Sequence, residues 1–193
     1  MDFIASLPTA LTEPSRRFFA EWHRWRGHGL VPQRSVLDTA KLGDLLLRCL
    51  LLEIRGRDQI PICFAGSMVG EMLGANLAGR NYLDLTEPEN RTRRAALLFT
   101  EVAQPCAAVI YYWLSTDGGA MLPVELVSAP LCADGETMPS LVLACATPLI
   151  KGSDNARVVA PESYAEGEGL RFIDIGAGLP PVGPDIHIAQ QVQ

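Results

Sequence analysis

From Thr12 to about His28, Phe18, Phe19, Trp22 and Trp25 recur at intervals of three and four residues, the spacing of one helix face. Thr12 and Ser15 offer capping oxygens ahead of it, and Gly27-His28-Gly29 followed by Pro32 ends it. A second helix is predicted from Asp38, with Leu42, Leu45 and Leu46 on one side. Two short apolar runs, 49–55 and 61–65, flank the polar Gly56-Arg57-Asp58 and predict a β-hairpin. Glycines at 66, 70, 74 and 79 then divide the chain into brief turns and a short helix carrying Met68, Met72 and Leu73. Pro88 opens a further helix, with Ala95, Leu97, Leu98 and Val102 facing inward and Arg91, Arg93, Arg94 and Glu101 expected in water. Three strands are predicted over 107–115, 122–131 and 140–150, joined at Asp117-Gly118-Gly119 and Asp134-Gly135 as an antiparallel meander. This order predicts an α+β fold with helices over a face of an antiparallel sheet.

Three regions follow: an N-terminal helical extension over 1–47, a core over 48–150, and a tail over 151–193 of weak order, in which only 170–175 reads as strand. The chain's 193 residues suffice for one main domain, and 48% hydrophobic against 20% charged residues marks a folded one. A net charge of -6 gives no general attraction to nucleic acid. The start of the chain has its basic pair after its apolar residues, the reverse of a signal peptide, and the apolar run 45–54 is interrupted by Arg48 and Glu53. A cytoplasmic protein without a membrane span is expected. Five widely spaced cysteines with no C-x-x-C pair argue for reduced thiols, neither disulfide framework nor zinc site.

Several stretches resemble the PAS sensory domain. Phe64-Ala65-Gly66-Ser67-Met68, then Met72-Leu73-Gly74 and Asn76-Leu77-Ala78-Gly79-Arg80, are similar to the passage from the second PAS strand into its pocket helices. Trp22-x-x-Trp25-Arg26-Gly27-x-Gly29-Leu30-x-Pro32-x-Arg34 with Asp38 and Leu42, and later Glu125, Pro130-Leu131 and Asp134-Gly135, resemble a bacterial family of small PAS-like proteins. The resemblance spans about residues 15 to 150. It implies a five-stranded antiparallel sheet whose concave face and short helices enclose a pocket, and a helical N-terminal extension of the kind that mediates dimerisation.

The residues decide what such a pocket would hold. Gly79-Arg80-Asn81 matches the opening of the motif of light-sensing PAS relatives, but their flavin-bonding cysteine is replaced by Tyr82, whose phenol cannot form the adduct. No Asn or Gln lies in the strands predicted from Ala107 onward to bond a flavin edge. Haem lacks a pocket histidine, since His23, His28 and His187 all lie outside the predicted core; Cys63 or Cys145 would be the remaining ligands. Neither cofactor, and no metal, is therefore expected. No nucleophile elbow, metalloprotease helix or P-loop is present, and Gly74-x-x-x-x-Gly79-Arg80 lacks the phosphate-binding Lys and Ser/Thr, so no enzyme is expected.

The candidate pocket consists of Met68, Met72, Leu83, Tyr111, Trp113 and Val124, with Tyr82 supplying a hydroxyl. Glu125 is open between a polar anchor in the pocket, an ion pair with an arginine such as Arg80, and an outward position in an alternating strand. Phe18, Trp22 and Trp25 give the first helix more apolar surface than water tolerates, so it either folds over its own sheet or forms a homodimer interface. The expected function is a non-enzymatic sensory or regulatory module that signals in trans to a protein partner and can bind a small apolar or amphipathic molecule. The alternatives are a small-ligand carrier and a structural adaptor with a filled core.

Overall fold

The computed structural model describes residues 3–73, 76–86, 88–115, 121–149 and 169–181. The Asp117-Gly118-Gly119 turn, Gly74, His187 and most of the tail lie outside these. The main helices are α1 (Glu13–Arg26), α2 (Thr39–Leu42), α3 (Ser67–Leu73) and α4 (Arg91–Ala103), and the strands are β1 (Cys49–Glu53), β2 (Ile62–Ala65), β3 (Cys106–Ser115), β4 (Met121–Cys132), β5 (Pro139–Pro148) and β6 (Gly169–Asp174). The six strands form one antiparallel sheet in the order β2-β1-β5-β4-β3-β6.

The expected five-strand sheet is thus one strand short. The strand-like run in the tail is β6, which pairs with β3 from Cys106↔Asp174 to Tyr111↔Gly169. Its alternating buried positions Leu170 and Phe172 on one side and Ile173 on the other suit a strand covered on both faces. The second predicted helix also shortens: Gly43 takes φ 54 and stops α2, and a 3-10 segment over Gly43–Arg48 leads into β1.

Two separate cores flank the sheet. On one side, α1 lays Phe18, Phe19 and Trp22 against Leu51, Val109, Val127, Ala129, Leu131 and Leu143. Thr12 caps the helix by accepting from the Ser15 backbone N–H, and Trp22 Nε1 donates to the Pro130 carbonyl on β4 at 3.0 Å. On the other side, α3, α4 and the 3-10 turn Tyr82–Leu85 cover Leu50, Leu52, Ala108, Ile110, Val142 and Ala144.

Gly66 joins β2 to α3 where the chain passes close against the backbone of the preceding 3-10 segment. A Cβ there would lie 2.3 Å from the carbonyl oxygens of Leu46 and Leu47, so only glycine fits. After β6, Asp174 Oδ1 accepts from the Gly176 and Gly178 N–H groups and folds the chain into a turn. Arg26 at the end of α1 donates to the Ile175 carbonyl, while Gln104 just after α4 donates to that of Ala177. This turn touches the ends of helices from both layers.

Candidate functional site

Strand register explains why one core is left incomplete. Residues opposite one another in an antiparallel sheet share a face, so Leu50, Ala144, Ser128, Ala108 and Phe172 form one row across five strands. The row is large at both edges and small over its three middle strands. The adjacent row adds Ala146, Leu126, Ile110 and Leu170. Helix α4 cannot sink into the shallow centre, because Leu97 and Leu98 already rest on this side. A cavity of about 290 Å³ remains between sheet and helices, near the lower end of the range for small-molecule sites.

Its floor is Leu50, Leu52, Ile110, Leu126, Ser128, Ala144 and Ala146; Val69, Met72 and Leu73 of α3 and Leu97 and Leu98 of α4 form apolar walls. Tyr82, Thr86, Glu89, Asn90 and Arg94 add polar atoms to the lining. Arg94 is buried, with its guanidinium carbon 4.6 Å from the Tyr112 ring centre, a cation–π contact. Glu101, two turns further along α4, is fully buried; its Oε1 accepts from the Ser128 hydroxyl at 2.9 Å, and Oε2 has no partner. Burial pushes the Glu101 carboxyl up to about 8, although the Ser128 hydrogen bond pulls the other way. The expectation that Arg94 and Glu101 face water is therefore corrected. Both occupy the inner face of α4 with Leu97 and Leu98, a stripe whose polar ends hydropathy assigned to the outside.

Of the eight residues assigned to the pocket from sequence, Met72, Tyr82 and Trp113 line the cavity. Leu83 packs in the core beside it, Met68 is half-buried on α3 away from it, and Val124 is buried opposite Tyr112 without lining it. Tyr111 and Glu125 are paired on the opposite face, toward α1. There Glu125 accepts from the Thr12 backbone N–H at 3.0 Å, from the Thr12 hydroxyl and from the Tyr111 phenol at 2.8 Å. It is neither a pocket anchor, nor an Arg80 partner, nor outward-facing; it ties the start of α1 to β4. The interface assignment for Phe18 and Trp22 is corrected likewise. Both are fully buried in their own chain, and Trp25 packs partly buried beside them, so the apolar face of α1 is spent on its own sheet.

Sequence reasoning missed Ala144, Ala146 and Ser128, although the small residues alternate visibly on β5. It also missed Glu101, which register alone could have placed near Ser128 only once the α4 packing was known.

The flavin adduct chemistry of light-sensing relatives does not fit this lining. Tyr82 stands at the cysteine position and no lining residue is a cysteine. Asn81 is occupied elsewhere, accepting from the Ile60 N–H and donating to the Asp58 carbonyl at 2.9 Å each. No histidine lines the cavity either. Among the described residues no cluster of His, Cys, Asp or Glu could hold a metal ion, and no helix is long and apolar enough to cross a membrane.

Similar architectures occur among solved structures. The Rhodobacter sphaeroides LOV protein superposes with a TM-score of 0.44 at 13% identity, over 61% of this chain and 71% of that one. The light-state structure of the photoreceptor Aureochrome1 LOV gives 0.43 at 14%, over 55% and 84%. The PAS domain of an HTR-like protein from Haloarcula marismortui gives 0.39 at 15%, over 57% and 90%. No curated protein has a sequence that matches this chain. The PAS domain family matches residues 11–145, well over half of the chain, from the first helix through β4 and into β5; the chain belongs to the PAS domain family.

Proposed function

We propose that this PAS domain is a non-enzymatic sensory module that takes up a small, largely apolar molecule between its sheet and α3–α4 and passes the resulting state to a protein partner. The observation that carries this reading is the cavity itself: three small residues in a row across the middle strands, walled by adaptable Met72 and aromatic side chains. A structural adaptor would have filled that space, since voids in a core are destabilising. A route for the output is supported by the turn after β6, which holds Gln104 at the end of cavity-lining α4 and Arg26 at the end of α1. A shift of α4 on ligand entry would bias α1, and a partner that prefers one of the two arrangements would read it.

A thermal-shift screen against small amphipathic molecules, with native mass spectrometry of freshly purified protein, tests the reading. Stabilisation should follow ligand concentration, reaching about 2.7 kcal/mol at a hundredfold excess over Kd, and Ala144→Leu should abolish it. A protein that neither retains nor responds to any such compound would overturn the reading. Equal partner binding with and without ligand would instead favour a carrier.

A further inference from the structure

The floor of the proposed cavity is apolar except for one hydroxyl, that of Ser128, backed by a carboxyl group that never reaches solvent. Ser128 lies at the centre of the row of small residues, flanked by Ala144 on β5 and Ala108 on β3. Leu50, Leu126, Ala146, Leu97 and Leu98 surround the same part of the lining. An isolated pair of this kind in a hydrocarbon setting is destabilising: a buried polar atom without a partner costs about 1–3 kcal/mol. The Glu101 Oε2 atom is such an orphan. Replacing both partners of such a pair by apolar side chains of similar shape is in general near neutral or stabilising, so packing alone gives no reason for the pair. The contrast with Glu125 is informative, because there three donors close the network.

We infer that Ser128, braced by Glu101, is the polar subsite of the cavity, and that it selects an uncharged amphipathic molecule carrying a hydroxyl or carbonyl group on an apolar body. This rests on the ligand-binding reading above and names the chemical class it admits. The Ser128 oxygen can accept from a ligand hydroxyl while its own proton goes to Glu101 Oε1. Reversal of that internal bond, with Glu101 donating, lets Ser128 donate to a ligand carbonyl instead. The subsite therefore serves either neutral group. It disfavours an anion, which would have to shed its water beside a second acidic group among leucines and alanines. Arg94, the charged residue of opposite sign in the lining, is already stacked on Tyr112. The cavity volume of about 290 Å³ suits a single substituted ring or a short branched chain.

The test compares three probes of one shape, 4-propylphenol, propylbenzene and 4-propylbenzoate, titrated into the full chain and followed by amide chemical shifts. The phenol should bind about tenfold tighter than propylbenzene, the value of one well-made neutral hydrogen bond, and the benzoate weakest. In Ser128→Ala the phenol should fall to the level of propylbenzene, whose own affinity stays unchanged and so reports an intact cavity. Glu101→Gln keeps an acceptor for Ser128 and should keep the preference for phenol. Equal binding of phenol and propylbenzene by the unmodified protein would overturn the subsite while leaving the ligand-binding reading in place. Tightest binding of the benzoate would overturn it in favour of Arg94. Failure of all three to bind would remove the cavity reading together with the inference. Should Ser128→Ala not fold, Ser128→Cys, whose thiol is a weak hydrogen-bonding group of similar size, takes its place, and an undiminished preference for phenol in it would overturn the subsite.

Discussion

The two faces of this sheet bury similar amounts of apolar side chain and are finished to different standards. Against α1, the aromatic side chains Phe18, Phe19 and Trp22 close over the middle of the sheet, leaving a cleft of about 210 Å³ at the β3–β6 edge beside residues 8–10, and the buried carboxyl group on this side, Glu125, has three donors from Thr12 and Tyr111. Against α4, the middle of the sheet is lined with small residues, and the buried carboxyl group on this side, Glu101, keeps an unpartnered oxygen. A filled face fixes the structure; an unfilled one stores free energy that a guest can recover. On the proposed reading, the PAS domain divides its labour across a single sheet, with packing on one side and reception on the other.

The sharpest way to break this contrast is Trp22→Ala. It should lower unfolding free energy by about 3–5 kcal/mol, as large-to-small changes in packed cores do, read as a shift of the urea midpoint. A change confined to association state, with stability untouched, would return Trp22 to an interface. Next in size is a matched pair of insertions. Ala129→Leu on the filled face should destabilise by about 1–3 kcal/mol through overpacking. Ala144→Leu on the open face should be tolerated, at a loss below about 1.5 kcal/mol, because free volume receives the side chain; equal losses by thermal unfolding would contradict the difference between faces.

The smallest effect concerns pH. Glu101 holds its proton up to about 8 in the folded chain, against an ordinary carboxyl value of 4.5, so between those values the folded state binds more protons than the unfolded. Stability contributed by the protonated carboxyl is full below the lower value and falls as pH rises through the higher, with a slope of at most about 1.4 kcal/mol per pH unit. The titratable group set near it is Cys106 on β3, whose thiol is pushed up by burial and by Glu101 and Asp174. Glu101→Gln should flatten the decline in Tm across that interval. An identical slope in the variant would show that the buried carboxyl does not titrate there.

Much of this architecture could be read from the sequence. The alternation over 122–131 and 140–150 and the Asp134-Gly135 turn define β4 and β5 within a few residues, because local period and turn chemistry agree there. The hairpin before Gly66 and the apolar stripe of α4 were legible for the same reason, whereas Arg94 and Glu101 beside that stripe were not. What escaped depended on long-range register. Whether Glu125 points toward helix or solvent is set by its pairing with Tyr111 and Thr147, and both sides of that strand are covered, so alternation carries no information about water. Phe18 and Trp22 advertise an apolar face without naming what covers it. β6 went uncounted because a strand followed by glycines and prolines has a weak local signal, and its stability comes from β3.

The pairing of β1 with β5 also dictates a chronology. Cys49 lies opposite Cys145, so nearly a hundred residues of chain must close into a loop before β1 can dock. The β3–β4–β5 meander needs only neighbouring segments and has the lower entropic barrier. The Ser128 row is therefore assembled early, but Leu50 and Leu52, which wall the cavity, arrive with β1. The receptacle is completed only with that closure, so a chain in which β1 has not docked would lack Leu50 and Leu52 from the lining.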